Sequence, residues 1–180
     1  MKPLKIKIYV LTIVFFALLF LPLTLNAENS RANKSDEEII QEVQQKIKSN
    51  LFYTVFDWIT VKTDNGNVTL DGYVHLPWDK NYFVKFAKEV DGVKSVVDNT
   101  IKINGPDDLR YMAMRAIYSD SMFEHFGFLN DPPVHVIVIS NKIILEGTVQ
   151  SDLEREWAGR LVEWHTDAGN IENNLVVEKS

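Results

Sequence analysis

The residues best suited to metal ligation or proton transfer are four histidines, His75, His125, His135 and His165, in a chain without cysteine. None is spaced as a metal pair of the HExxH kind. Ser119 and Ser121 lie near His125, but no nucleophile-elbow sequence surrounds them. Acid pairs such as Asp107-Asp108 fall where helices start, and a carboxylate there favours the helix dipole rather than catalysis. No glycine-rich phosphate loop is present. The reading is therefore a non-enzyme: no catalytic residue, no metal, no cofactor and no small-molecule substrate. What remains is surface chemistry, carried by Lys80, Lys85 and Lys88 in one segment and by Phe123, Phe126 and Phe128 in another. Lysines can reach anionic head groups. Phenylalanines can insert into a bilayer or a partner's groove, or fill a core.

The elements that would position these residues are built twice. Val68-Thr69-Leu70-Asp71-Gly72-Tyr73-Val74 returns 75 positions later as Ile143-Ile144-Leu145-Glu146-Gly147-Thr148-Val149. Period two over seven residues predicts a half-buried strand, with Val68, Leu70, Gly72 and Val74 facing inward, and likewise Ile143, Leu145, Gly147 and Val149. Glycine at one register in both rows suggests a helix crossing each sheet. The offset holds downstream. Tyr82, Phe83, Phe86, Ala87 and Val90 map onto Trp157, Ala158, Leu161, Val162 and His165, spaced as one helix face. His165, in the register of Val90, reads as a partly buried structural histidine. Asn99 maps onto Asn174. A period this long fits two tandem small domains better than a solenoid.

In chain order, Lys2, Lys5 and Lys7 precede an uncharged run from Ile8 to Leu25, closed by Asn26-Ala27-Glu28. This is a secretory pattern, with cleavage expected between Ala27 and Glu28 and a periplasmic product. The run is just long enough to span a bilayer, so an uncleaved inner-membrane anchor is the alternative. Losing residues 1–27 removes three lysines and no acid, leaving 16 Lys+Arg against 25 Asp+Glu, a net charge of −9. Such an acidic chain has no general attraction for phosphate backbones, and nucleic acid is not an expected partner. Residues 35–103 hold 8 basic and 11 acidic side chains, and 107–177 hold 5 and 12. An anionic surface should meet the first repeat more readily.

Residues 28–34 read as a leader. Ser35 with Glu38 forms a capping box, and Ile39, Ile40, Val43 and Ile47 make the inward stripe of the helix it opens. A strand follows from Trp58 to Lys62, then Asp64-Asn65-Gly66 as a type I′ hairpin turn. After the first organising strand, a helix is predicted over about Trp78 to Val90, ended by Asp91-Gly92. A third strand alternates through Val97, Asn99, Ile101 and Ile103. The unit is helix-strand-strand-helix-strand over 35–103. Asn104-Gly105-Pro106 links it to a second such unit over 107–177, whose first helix covers about Asp108 to Ile117. Leu109, Met112, Ala113, Ala116 and Ile117 face inward there. An irregular segment then runs to Asp131-Pro132-Pro133, followed by the strand His135 to Ile139. Ser151 with Glu154 makes another capping box, opening a helix to about Trp164. The Gly92-Val93 corner becomes Asp167-Ala168 in the second copy. The two units are taken as separate small cores.

Gly66-Asn67-Val68-Thr69-Leu70-Asp71-Gly72-Tyr73-Val74, then Ala87 through Val96 with Gly92 at its corner, then Asn99, resemble the BON domain of osmotically inducible periplasmic (OsmY-type) proteins. The second copy matches through Asn141 to Val149, with Gly147, and through Asn174, but departs at the Gly-Val corner. The resemblance implies an α+β fold: two tandem sandwiches, each with two helices on a three-stranded sheet. It also implies binding to a phospholipid membrane surface or to an envelope protein, in a stress-related role, with Gly72, Gly92, Asn99, Gly147 and Asn174 as structural positions. The alternative reading is a chaperone-like adaptor for an outer-membrane complex.

Overall fold

The structure, a computed structural model, describes residues 34–178. The expected signal segment, its Ala27/Glu28 cleavage site and nearly all of the leader lie outside the described residues.

Among the described residues the chain is mixed α+β, with four α-helices and two sheets. The first repeat comprises α1 (Asp36–Lys48), β1 (Trp58–Asp64), β2 (Asn67–Val74), α2 (Asp79–Lys88), β3 (Ser95–Asp98) and β4 (Ile101–Lys102). The second comprises α3 (Asp107–Tyr118), a short 3-10 turn (Glu124–Phe126), β5 (Val134–Ile139), β6 (Lys142–Val149), α4 (Asp152–His165), β7 (Asn170–Asn173) and β8 (Val176–Val177). In each sheet the middle strand runs antiparallel to its predecessor and parallel to the two short pieces that follow the second helix.

Local chemistry accounts for the ends of these elements. The Ser35 hydroxyl accepts from the Glu38 amide at 3.2 Å, and the Glu38 carboxylate accepts from the Ser35 amide at 2.8 Å. The second box is altered: Ser151 Oγ accepts from the Glu154 amide, but Glu154 reaches back to the amide of Gln150. Asn65 and Gly66 take φ of +50° and +79°, the left-handed pair that a type I′ turn requires. The inward rows are as expected, with Val68, Leu70, Val74, Ile143, Leu145 and Val149 all buried. The third strand is broken at Asn99-Thr100, and Val97 and Ile101, expected in the alternation, are exposed while Ile103 is buried. Asn99 N donates to Leu70 O and its side chain to Asp71; Asn174 N donates to Leu145 O and its side chain to Glu146. The acid beside each glycine therefore anchors the break in the strand.

The glycines themselves have a different reason from a crossing helix. Gly72 and Gly147 have φ of +115° and +134°. A Cβ on either would run into a backbone carbonyl oxygen of the neighbouring strand segment, Trp58 O or Pro133 O. The close approach comes from within the sheet, and glycine is the residue that tolerates it.

The repeats do not form separate cores. The first is built on Ile39, Val43, Ile47, Val68, Leu70 and Phe83. The second, around Ala113, Ile117, Val136, Ile143, Leu145 and Val162, also takes in Phe56 and Ile103 of the first repeat, with Val55, Trp58 and Tyr73 packed on it. Ile137 and Ile144 face away from the second repeat's own helices, yet are 0% and 3% exposed. Backbone bonds cross as well, from Val136 N to Val55 O and from Gly105 N to Val138 O.

Candidate functional site

The surface best suited to a partner begins where α1 ends. Asn50 Oδ1 accepts from Phe52 N at 3.0 Å and closes a turn that turns Tyr53 inward, 1% exposed, and leaves Leu51 85% exposed. Phe52 stacks on Tyr82 of α2, with ring centroids 4.3 Å apart and planes within 5°. Tyr82 in turn lies 6.3 Å from Phe86. In the second repeat the corresponding connection is longer, and its added residues carry Phe128, 94% exposed, and Leu129. Leu51, Phe128 and Leu129 line one cleft of about 400 Å³ between the repeats, with Tyr118 and Pro132. The Tyr118 hydroxyl donates to Val134 O at 2.6 Å and accepts from Val134 N at 3.1 Å, which pins the segment to the second sheet. Burial pushes that phenol well above its ordinary value.

Sequence reasoning treated α2 and the segment after Tyr118 as rival sites; the Leu51-Phe52 turn, which it did not single out, joins them into one apolar ridge. The phenylalanines divide. Phe123 is fully buried in the second core and is withdrawn from the contact set, Phe126 is half-buried against that core, and Phe128 is free. The lysines divide too. Lys80 Nζ lies 3.6 Å from Asp98, while Lys85 and Lys88 are exposed on α2. His165 is exposed at the end of α4 rather than partly buried, its Nδ1 2.8 Å from Leu161 O.

Beneath the ridge, two polar clusters hold the repeats together. Lys48 bonds Asp131 at 3.1 Å and lies over the Trp58 ring, and His135, fully buried between Tyr53 and Trp58, places Nε2 3.1 Å from Asp131. Burial works against ionisation of Asp131, but the His135 bond and the Lys48 charge hold it below the usual carboxylate range. At the other cluster Arg110 of α3, paired with Asp107, packs over the Phe56 ring. Near it Asp57 accepts from the Thr54 amide, the Thr54 hydroxyl and the His75 amide. Burial pushes Asp57 up to about 6, and burial with the Arg110 charge brings His75 down to about 4. They are structural ties, and among the described residues no group of three His, Asp or Glu is placed to hold a metal ion.

The duplicated Asn-to-acid anchors and positive-φ glycines coincide with a family match, since the BON-domain model fits residues 35–105 and 122–179. The chain belongs to the BON-domain family. BON domains are a non-catalytic, phospholipid-binding type of domain. Among solved structures the chain is similar to the C-terminal domain of CdsD, the structural protein of the type III secretion system of Chlamydia trachomatis. That match has 14% identity over 81% of this chain and 100% of the other, with a TM-score of 0.30. A second CdsD structure gives 18% identity over 79% and 93%, with a TM-score of 0.29. These likenesses carry no part of the functional reading. No curated protein matches the chain.

Proposed function

We propose that this tandem BON protein is a non-enzymatic envelope module that docks on phospholipid surfaces through the ridge formed by Tyr82, Phe52, Leu51, Phe128 and Leu129. The observation that carries the reading is the exposure of Leu51 and Phe128 at 85% and 94%, both lining one cleft. Exposed apolar clusters of this kind mark interaction sites, and aliphatic and aromatic side chains enter the acyl boundary of a bilayer. Lys85 and Lys88 flank the ridge on α2 and reach for head groups, each contributing roughly 1 kcal/mol near an anionic leaflet. The protein works in the periplasm, its mature chain beginning at Glu28 after cleavage at Ala27. Intact-mass analysis of periplasmic material tests this, and a full-length species held in the membrane would contradict it.

Salt separates the two contributions. Docking carried by the ridge persists from low to high ionic strength, whereas docking carried by lysines fades within that range. Sedimentation with phosphatidylethanolamine/phosphatidylglycerol vesicles, run for wild type and for Lys85→Glu/Lys88→Glu, should show a modest salt-dependent loss in the variant and a salt-resistant remainder. Complete loss of binding at high salt would refute the ridge as the main contact.

A second reading has its own support. Val97 and Ile101 are 52% and 54% exposed on the β3–β4 edge, where an extended segment of an envelope protein could add as a strand. Partner capture in lipid-free solution, lost in Val97→Lys, is the outcome that would favour it.

A further inference from the structure

Two Asn-Gly pairs stand in this chain, Asn65-Gly66 in the first hairpin and Asn104-Gly105 in the linker between the repeats. Such a pair carries its own reaction. The glycine nitrogen attacks the asparagine Cγ, a new N–C bond forms, and the side-chain nitrogen leaves as ammonia. Water then opens the resulting succinimide at either carbonyl, giving aspartate or isoaspartate. Glycine favours the attack because no Cβ obstructs the approach of its nitrogen. The fold treats the two pairs differently.

At Asn65-Gly66 carboxylates engage the reacting groups. Asp36, in the first turn of α1, accepts from Asn65 N at 2.7 Å and from Gly66 N at 2.9 Å. The nitrogen that would attack is thus bound to a charged acceptor, in a buried glycine. Asn65 Nδ2 donates to Asp64 at 2.8 Å, so negative charge developing on the side-chain oxygen would meet a nearby carboxylate. Lys94 N donates to Gly66 O at 2.8 Å and fixes the turn from its other side.

At Asn104-Gly105 the arrangement is reversed. Asn104 is exposed, and Gly105 N donates to a neutral acceptor, Val138 O, at 3.1 Å. Asn104 Oδ1 accepts from Ser140 N at 3.0 Å. That N–H is aimed at the oxygen that turns negative when Cγ is attacked, as the donors of an oxyanion hole are. Ser140 is the repeat counterpart of Asn65, 75 positions on, and it too has a positive φ, +55°. The turn amide that meets Asp36 in the first repeat therefore meets an asparagine in the second. This pair is polarised for reaction and held back by a neutral hydrogen bond.

We infer that Asn104 is a site of spontaneous deamidation in the folded protein and that Asp36 keeps Asn65 intact. Reaction at Asn104 requires Gly105 N to leave Val138 O, so its rate follows the opening of that contact between the repeats. The aspartate product sets a carboxylate against Ser140 N, as Asp36 is set against Asn65 N in the first repeat. The isoaspartate product lengthens the backbone of the linker by an atom.

Peptide mapping by mass spectrometry, on the purified chain aged in mildly alkaline buffer, reads each site as the mass gain from amide to acid. Asn104 should convert about tenfold faster than Asn65, since a hydrogen bond to a charged group outweighs a neutral one by roughly that factor. In urea the two sites should convert at similar rates; a ratio that survives unfolding would assign it to neighbouring sequence and overturn the inference. In the folded state Asp36→Ala should speed conversion of Asn65 about tenfold and leave Asn104 unchanged. Ser35→Ala, which loosens the same end of α1 but keeps the Asp36 carboxylate, should leave Asn65 slow. Circular dichroism checks the fold of each variant, and the comparison of folded with unfolded wild type stands without them. Asn65 converting as fast as Asn104 in the folded wild type, a slow Asn65 in folded Asp36→Ala, or equal acceleration by Ser35→Ala would each overturn the inference.

Discussion

At the scale of single residues, Gly72 and Gly147 carry the most testable consequence. Each has a positive φ, and each faces a carbonyl oxygen that leaves no room for a methyl group. Gly72→Ala and Gly147→Ala should therefore each cost on the order of 2–4 kcal/mol, read as a lowered urea midpoint. A midpoint equal to wild type would show the positions to be permissive. Their periodicity was legible in the sequence and their cause was not, because a gap in an alternating row looks the same whether a helix or a strand carbonyl fills it. Asp57 and His75 give a second test at this scale. The folded Asp57 carboxyl, raised from 3.8 to about 6 chiefly by burial, holds its proton more tightly than in the unfolded chain. Its stabilisation is full at low pH and is lost as pH rises through about 6. The folded His75 ring, lowered from 6.5 to about 4 by burial and then Arg110, holds its proton less tightly. Its stabilisation is present above the unfolded value and is lost as pH falls through about 4. The slopes oppose each other between those limits, and Asp79, raised by burial, adds to the Asp57 side. His75→Gln should steepen the fall in stability between pH 4.5 and 6, by about the interval these values span, while Asp57→Asn should turn it toward a rise. Urea midpoints across that range read both, and parallel curves for the two variants would contradict the assignment.

At the scale of elements, most of the repeat was readable and its loops were not. The capping box at Ser35, the Asn65-Gly66 turn and the inward stripes are local signals, set by residues a few positions apart. Ser35→Ala removes the hydroxyl that satisfies the Glu38 amide, and a thermal melt should show a loss of about 1 kcal/mol. No measurable change would mean that the box is redundant with the packing of α1. Phe123 and Phe128 show the limit of local signals. They stand five positions apart in one irregular segment, and one is 0% and the other 94% exposed. No periodicity runs through that segment to separate them; only the fold of the 3-10 turn and its tether at Tyr118 does. Leu51 and Phe52 escaped notice for the same reason, being two apolar residues in a turn without a pattern. Asn99 and Asn174 were recognisable as matching positions, but their work as anchors to Asp71 and Glu146 became visible only through the hydrogen bonds.

At the scale of the molecule, duplication pointed to two independent cores, and the packing joins them. The outer face of the second sheet is buried against Trp58 and Tyr73, and Phe56 sits in the second core. An internal repeat reports only what the two copies share, so an asymmetric contact between them leaves no trace in the repeat. One cooperative urea transition is therefore expected, and Phe56→Ala, costing about 3–5 kcal/mol, should shift probes of both repeats together. Two transitions, of which only one moves, would restore the independent units. This joining also creates the cleft that Leu51 of one repeat and Phe128 of the other both line, so the proposed docking surface belongs to the pair. The most direct measurement is vesicle sedimentation of Leu51→Ser/Phe128→Ser, at high salt where the lysines contribute least and after a melt establishes that the variant is folded. The account expects binding to fall tenfold or more, since each inserted side chain contributes about 1.5–3 kcal/mol. Binding equal to wild type would contradict it.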